Sequence, residues 1–103
     1  MHESLFFHDG NIISILCSGE NKGFELKLTL DLYDDLESAN RKRKVLTFRK
    51  LRHVAFNGDF AQIGLNYSAG SIEDGAFEKV EDYQKLSIWL TGGSLIVVGL
   101  LTV

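Results

Sequence analysis

GFELKLTLDLYD, residues 23–34, decides the fold. Phe24, Leu26, Leu28, Leu30 and Leu32 fall on one face, and Glu25, Lys27, Thr29, Asp31 and Tyr33 on the other. Successive side chains of a strand point to opposite faces, so this pattern predicts a half-buried β-strand. Working towards the N-terminus, NIISILCS (11–18) is β-branched and apolar, and SGENKG (18–23) has turn chemistry. Residues 11–34 therefore read as a β-hairpin.

Towards the C-terminus, DDLESAN precedes RKRKVLTFRKLRHVAF, in which Leu46 and Phe48 continue the inward face. Leu51, Val54 and Phe56 lose that parity, which predicts a bulge or a strand end near Lys50–Arg52. In residues 57–70 the alternation of Ala61, Ile63, Leu65 and Tyr67 suits a strand, while Phe60, Ile63 and Tyr67 line a helical face. Asp59 as N-cap and Gly70 at the C-terminal end favour a helix of about three turns near 59–69. In NYSAGSIEDG (66–75), Asn66 and Gly70 then end that helix, Ile72 anchors the exit, and Asp74-Gly75 turns the chain into the next strand. EDYQKLSIWLT and SLIVVGLLTV flank Gly92-Gly93, a pair suited to a tight hairpin turn. The last strand is apolar on both faces and should be buried within the sheet or covered.

The expected fold is one domain, residues 1–103, of the α+β class and mostly antiparallel β. It would hold about five to seven strands in a twisted sheet, small sandwich or partial barrel, with one short helix. A net charge of −3 and a pI near 5.5 argue against bulk nucleic-acid binding. The single cysteine, Cys17, excludes an intramolecular disulfide and a thiolate zinc cluster. Its place in an apolar strand predicts an inert core thiol. MHESLFFHDG lacks the basic and apolar regions of a secretory signal, and LIVVGLLTV is too short to cross a membrane as a helix. A cytoplasmic protein is the expectation.

Seven of the eleven Lys and Arg residues lie between Arg41 and Arg52. The favoured reading is cross-strand charge pairing with Asp31, Asp34, Asp35 and Glu37; a docking patch for an acidic protein and a phosphate-binding patch are the alternatives. No nucleophile–base arrangement, phosphate loop or metal-ligand spacing occurs, so the chain reads as no enzyme, with no cofactor and no metal. Residues suited to touching a partner or ligand are Asp9, Arg43, Arg49, Asn66 and Asp74.

Several pieces together resemble a family of small uncharacterised bacterial proteins. They are His8-Asp9-Gly10 leading into NIISI, the strand ELKLTLDL, and Val45-Leu46-Thr47-Phe48. Asn66, Ala69, Gly70, Ile72, Asp74 and Gly75 follow, and then Leu90, Gly92, Gly93 and Ile96. The opening is also similar to immunity proteins that neutralise bacterial toxins. The resemblance implies a compact β-rich fold whose helix ends at Ala69-Gly70, and it brings no catalytic activity with it.

The first functional expectation is a non-catalytic protein-interaction module, an immunity or accessory protein of a toxin system. It predicts a protein partner and no ligand-sized cavity. The alternative is a small-molecule-binding protein with a site near 66–75, for which Asn66, Asp74 and His8 or Trp89 must line one pocket. Monomer and homodimer are both open.

Overall fold

The computed structural model describes residues 5–20, 22–35 and 37–102. Its strands are β1 (Asn11–Glu20), β2 (Gly23–Leu32), β3 (Lys42–Gly58), β4 (Ile72–Val80), β5 (Tyr83–Leu90) and β6 (Gly93–Thr102), with one helix, α1 (Phe60–Leu65). They form a single antiparallel sheet in the order β1-β2-β3-β6-β5-β4. The expectation of a mostly antiparallel sheet with one short helix holds. The α+β label holds only loosely, because the helix has six residues and none of them is buried.

Leu26, Leu28, Leu30 and Leu32 of β2 are fully buried, as the alternation of the opening stretch requires. Leu46 and Phe48 lie opposite Leu28 and Leu26 on β3, and Leu86, Ile88, Leu95 and Val97 carry the same face across β5 and β6. Ile72 anchors the start of β4 at 1% exposure. At about 25 cal/mol per Å2, burial of these aliphatic side chains is the main force holding the sheet together.

The loss of parity in β3 is a bulge. Arg49 pairs with Leu100 and His53 with Val98, so three residues of β3 face the single residue Gly99. Lys50 takes a positive φ of 48° within it. The bulged backbone closes over Gly99, where a Cβ would lie 3.2 Å from both the Arg49 carbonyl and the Phe48 side chain. After the bulge, Val54 and Phe56 return to the core side opposite Val97 and Leu95.

Four local expectations are corrected. The helix stops at Leu65, with Asn66 as its C-cap. Asn66 N–H is shared between the Gln62 and Ile63 carbonyls, and Gly70 N–H closes a separate turn onto Asn66 O at 2.7 Å. Gly70 does take a left-handed φ of 107°, but in that turn rather than at the helix end. The last hairpin turns at Thr91-Gly92, since Leu90 pairs with Gly93. Gly92 supplies the positive φ of 92°. Gly93 is glycine for another reason: a Cβ there would strike the Asn57 carbonyl of β3.

Asp74-Gly75 is not a turn but the start of β4, with a register shift between Ile72 and Asp74. Cys17, finally, is exposed. It sits opposite the buried Leu26, but β1 is an edge strand and nothing among the described residues packs over this part of it.

Candidate functional site

The chain before β1 meets the start of β4 at one corner, joining the sheet's two edges there. Asp9 N–H donates to Ile72 O and Ile72 N–H to Gly10 O, both at 2.9 Å. Asp9 adopts a φ of 64°, a conformation that Asp tolerates better than most residues. Two side chains hold the loop 66–71 against this corner. Asn11, 1% exposed, accepts from Ser71 N–H and Ser71 Oγ at 2.9 Å and donates to Tyr67 O at 2.8 Å. Arg41 donates through Nε to Asp9 O and through its terminal nitrogen to Ser68 O, both at 2.9 Å. Its guanidinium lies 5.1 Å from the centre of the Tyr33 ring. Apart from the bond between the Ser71 hydroxyl and Asn11, these hydrogen bonds are spent on holding backbone.

Beside the corner, β1 and α1 stand apart and leave an apolar groove of about 320 Å3. Ile12, Ile13, Ser14 and Ile15 of β1 form one wall, and Phe56, Phe60 and Ile63 the other, with Ser71 and Leu90 lining the rest. The Asp59 carboxylate caps α1 by accepting from Ala61 and Gln62 N–H, and the Phe56 and Phe60 rings pack at 5.8 Å. Phe60 is nonetheless 72% exposed and Leu65 80%. The β1 wall contains a register shift between Ile12 and Ser14.

The residues singled out from sequence do not converge. Arg43 forms a two-pronged pair with Asp31 on β2, at 2.8 and 3.3 Å, and its guanidinium holds the Asp31 carboxyl below the usual range. Lys42 and Lys44 both reach Asp34 and depress its pKa in the same way. Arg49 pairs with Glu25 at 3.1 Å. Four of the seven bases are thus matched across strands, by Asp31, Asp34 and Glu25; of the acids expected to pair, Asp31 and Asp34 do so, while Arg41 holds backbone and Arg52 lies over the Tyr83 ring at 4.9 Å. Asp9 lies in the corner itself. Asn66 donates to Gln62 O one helical turn back, and Asp74 accepts from Gly75 N–H.

His8 Nδ1 donates to Glu73 O at 2.8 Å, and Nε2 lies 3.5 Å from the Asp9 carboxylate. That backbone bond, with Asp9 and Asp74 nearby, raises the imidazole pKa. None of Asn66, Asp74, His8 and Trp89 lines the groove. Among the described residues no group of three or more His, Cys, Asp and Glu is placed to hold a metal ion, and no helix is long and apolar enough to cross a membrane.

Sequence reasoning missed Asn11, the role of Arg41, and the groove walls Phe56, Phe60 and Ile63. Asn11 left a signal, a polar residue opening an otherwise apolar strand. Arg41 left none that separates it from its basic neighbours. No protein family, curated protein or solved structure matches the chain.

Proposed function

We propose that the chain is a non-catalytic protein-interaction module, an immunity or accessory protein of a bacterial toxin system acting in the cytoplasm. Its docking element is the free edge of β1, onto which the partner adds an extended segment. The observation that carries this is the join of an edge strand with no charge before Glu20 to an apolar groove. Strand addition draws affinity from main-chain hydrogen bonds and specificity from pockets for alternate side chains; β1 supplies the first and the groove beside Ile12–Ile15 the second. Apolar side chains of the partner would enter between Ile15 and Phe60.

The volume of the groove also suits a small ligand, and on that point the expectation of no ligand-sized cavity is corrected. Small-molecule sites combine apolar walls with a few convergent polar groups. Here the buried polar groups, Asn11 and Ser71, are satisfied by each other and by Tyr67 O. That favours the polypeptide.

The single cysteine makes the test direct. A photo-crosslinker on exposed Cys17 should capture one polypeptide in extracts of the native cell. Phe60→Asp, which adds an acid to the first turn of α1 where the helix dipole tolerates it, should remove that capture. Capture that Phe60→Asp leaves intact would sink the reading.

A further inference from the structure

The register of the first hairpin fixes which backbone groups β1 turns outward. Glu20 pairs with Gly23 at the hairpin turn. A pair so close to a turn must exchange both of its backbone hydrogen bonds, and along an antiparallel ladder such pairs alternate with pairs that exchange none. Ser18, Leu16 and Ser14 therefore bond to β2, while Gly19, Cys17 and Ile15 point N–H and C=O away from it. β1 is an edge strand, and among the described residues no turn or loop backbone bonds to these three. Donors and acceptors at alternate residues along an edge are matched by another extended backbone.

The same three residues lie on the core face, since Ile15 is opposite the buried Leu28 and Cys17 opposite the buried Leu26. Gly19 is opposite Phe24, whose ring is 57% exposed. Most glycines of this chain are held by a positive φ or a close approach; Gly19 is held by neither. Its φ is not positive, and a Cβ there would make an ordinary contact of 3.7 Å with the Phe24 ring. Glycine inside a strand weakens it and often marks a place where another chain or a ligand comes close.

We propose that the segment accepted by β1 is an amphipathic strand that seats an aromatic side chain over Gly19, against the Phe24 ring. The inference rests on the reading of β1 as a strand acceptor and names the partner's side chains. Directly opposite residues of neighbouring strands share a face, so partner residues facing Ile15, Cys17 and Gly19 all present side chains to the core face. Apolar residues suit the first two positions, beside the groove. At the third, the bare backbone and the uncovered ring leave room for a second ring, the way an aromatic neighbour compensates a glycine at a sheet edge. A second copy's β1, NIISILCSGE, has no aromatic residue to offer.

Nuclear magnetic resonance on the full chain tests both steps. Amide exchange should be at least about tenfold faster at Ile15, Cys17 and Gly19 than at Leu16 and Ser18. The probe is the capped palindromic peptide Val-Glu-Val-Thr-Phe-Thr-Val-Glu-Val, which places Phe over Gly19 in either direction. Its glutamates keep it soluble and fall opposite Leu16, beside Lys27. The peptide should protect the three amides and shift the Gly19 resonances through its ring. It should bind about tenfold more tightly than the same peptide with Ala for Phe.

Gly19→Val and Phe24→Ala, both at exposed positions, should each bring the two peptides within about twofold of one another. Equal affinity of the wild-type chain for both peptides overturns the aromatic seat and leaves strand acceptance standing. Binding of neither peptide, or amides that exchange alike along β1, overturns strand acceptance and this inference with it. A preference for Phe that survives Gly19→Val overturns the placement over Gly19.

Discussion

The sheet has two edge strands, and they are built in opposite ways. β4, IEDGAFEKV, carries four charged residues in nine positions. β1, NIISILCSGE, carries no charge before its last residue, Glu20. Each strand has a register shift near its start, so the bulges do not distinguish them. Edge strands invite pairing with other chains, and charged side chains are a common guard. β4 has that guard and β1 does not. β1 instead borders an apolar groove and shows Leu16 at 61% exposure. An edge left open beside a groove is what a strand-accepting surface requires, whereas an edge that must stay single needs the chemistry of β4.

The segment leading into β1 is bonded to the start of β4 at the corner formed by Asp9, Gly10 and Ile72, and breaking that corner should have the largest effect. Gly70→Ala forces a Cβ into a left-handed position and against the Asp9 carbonyl. Chemical denaturation should show a loss of about 3 kcal/mol, combining backbone strain with a clash against rigid main chain. A loss within error of zero would mean that the corner does not bind the edges together. Next comes Asn11→Ala, which strands the Ser71 N–H, its hydroxyl and the Tyr67 carbonyl. Unpaired buried groups make this about 2 kcal/mol. Asn66→Ala, in the same loop but bonded only to exposed local backbone, should cost no more than about 0.5 kcal/mol. Equal losses for the two asparagines would show that burial does not set their worth.

The edges themselves can be compared by giving each the same charge. Leu16→Lys places on β1 the kind of guard that β4 already has, and Val80→Lys adds one more to β4. Capture of a polypeptide through the Cys17 crosslinker should fall about tenfold with Leu16→Lys, and less than about twofold with Val80→Lys. Both variants should keep wild-type stability within about 0.5 kcal/mol, since both sites are exposed. Equal effects on capture would erase the functional distinction between the edges.

How far the sequence reached follows the same division. The alternation of Leu26 to Leu32 was legible because that stretch of one face of β2 is core, although Phe24 at its start is exposed, and the lost parity at Leu51 was legible because a bulge leaves a phase error in the pattern. The pairing of the basic run with Asp31 and Asp34 could be read because register follows from a short connection. Cys17 was misread because burial at an edge depends on what lies over it, a tertiary fact with no local signature. Gly93 was misread as a turn residue because a glycine required by close backbone approach looks identical in sequence to one required by φ. The groove was invisible for a related reason. Its walls, Ile12–Ile15 and Phe56–Ile63, are more than forty positions apart, and the loop beside it is held by Asn11 and Arg41, whose partners are the Ser71 hydroxyl and otherwise backbone atoms.

The smallest effect expected is a pH dependence with opposite signs at the corner and on the paired face. His8 has a raised pKa in the folded state, chiefly through its bond to Glu73 O and then through Asp9. Its contribution is therefore fully present below its ordinary value of 6.5 and fades as pH rises through the higher folded value. Asp31 and Asp34 have lowered values, set first by Arg43 and by Lys42 respectively. Their contribution is present above 3.8, the ordinary value for both, and is lost as pH falls through the lower folded value.

The stability difference between the wild-type protein and His8→Ala should accordingly shrink from about pH 5.5 to about pH 8.5, while that for Asp31→Asn should stay constant over the same range. All three side chains face solvent, so added salt should reduce both differences. A His8 difference independent of pH would show that the imidazole acts at the corner only as a neutral hydrogen-bond donor to Glu73 O, leaving the join between β1 and β4 to the backbone bonds, Asn11 and Arg41.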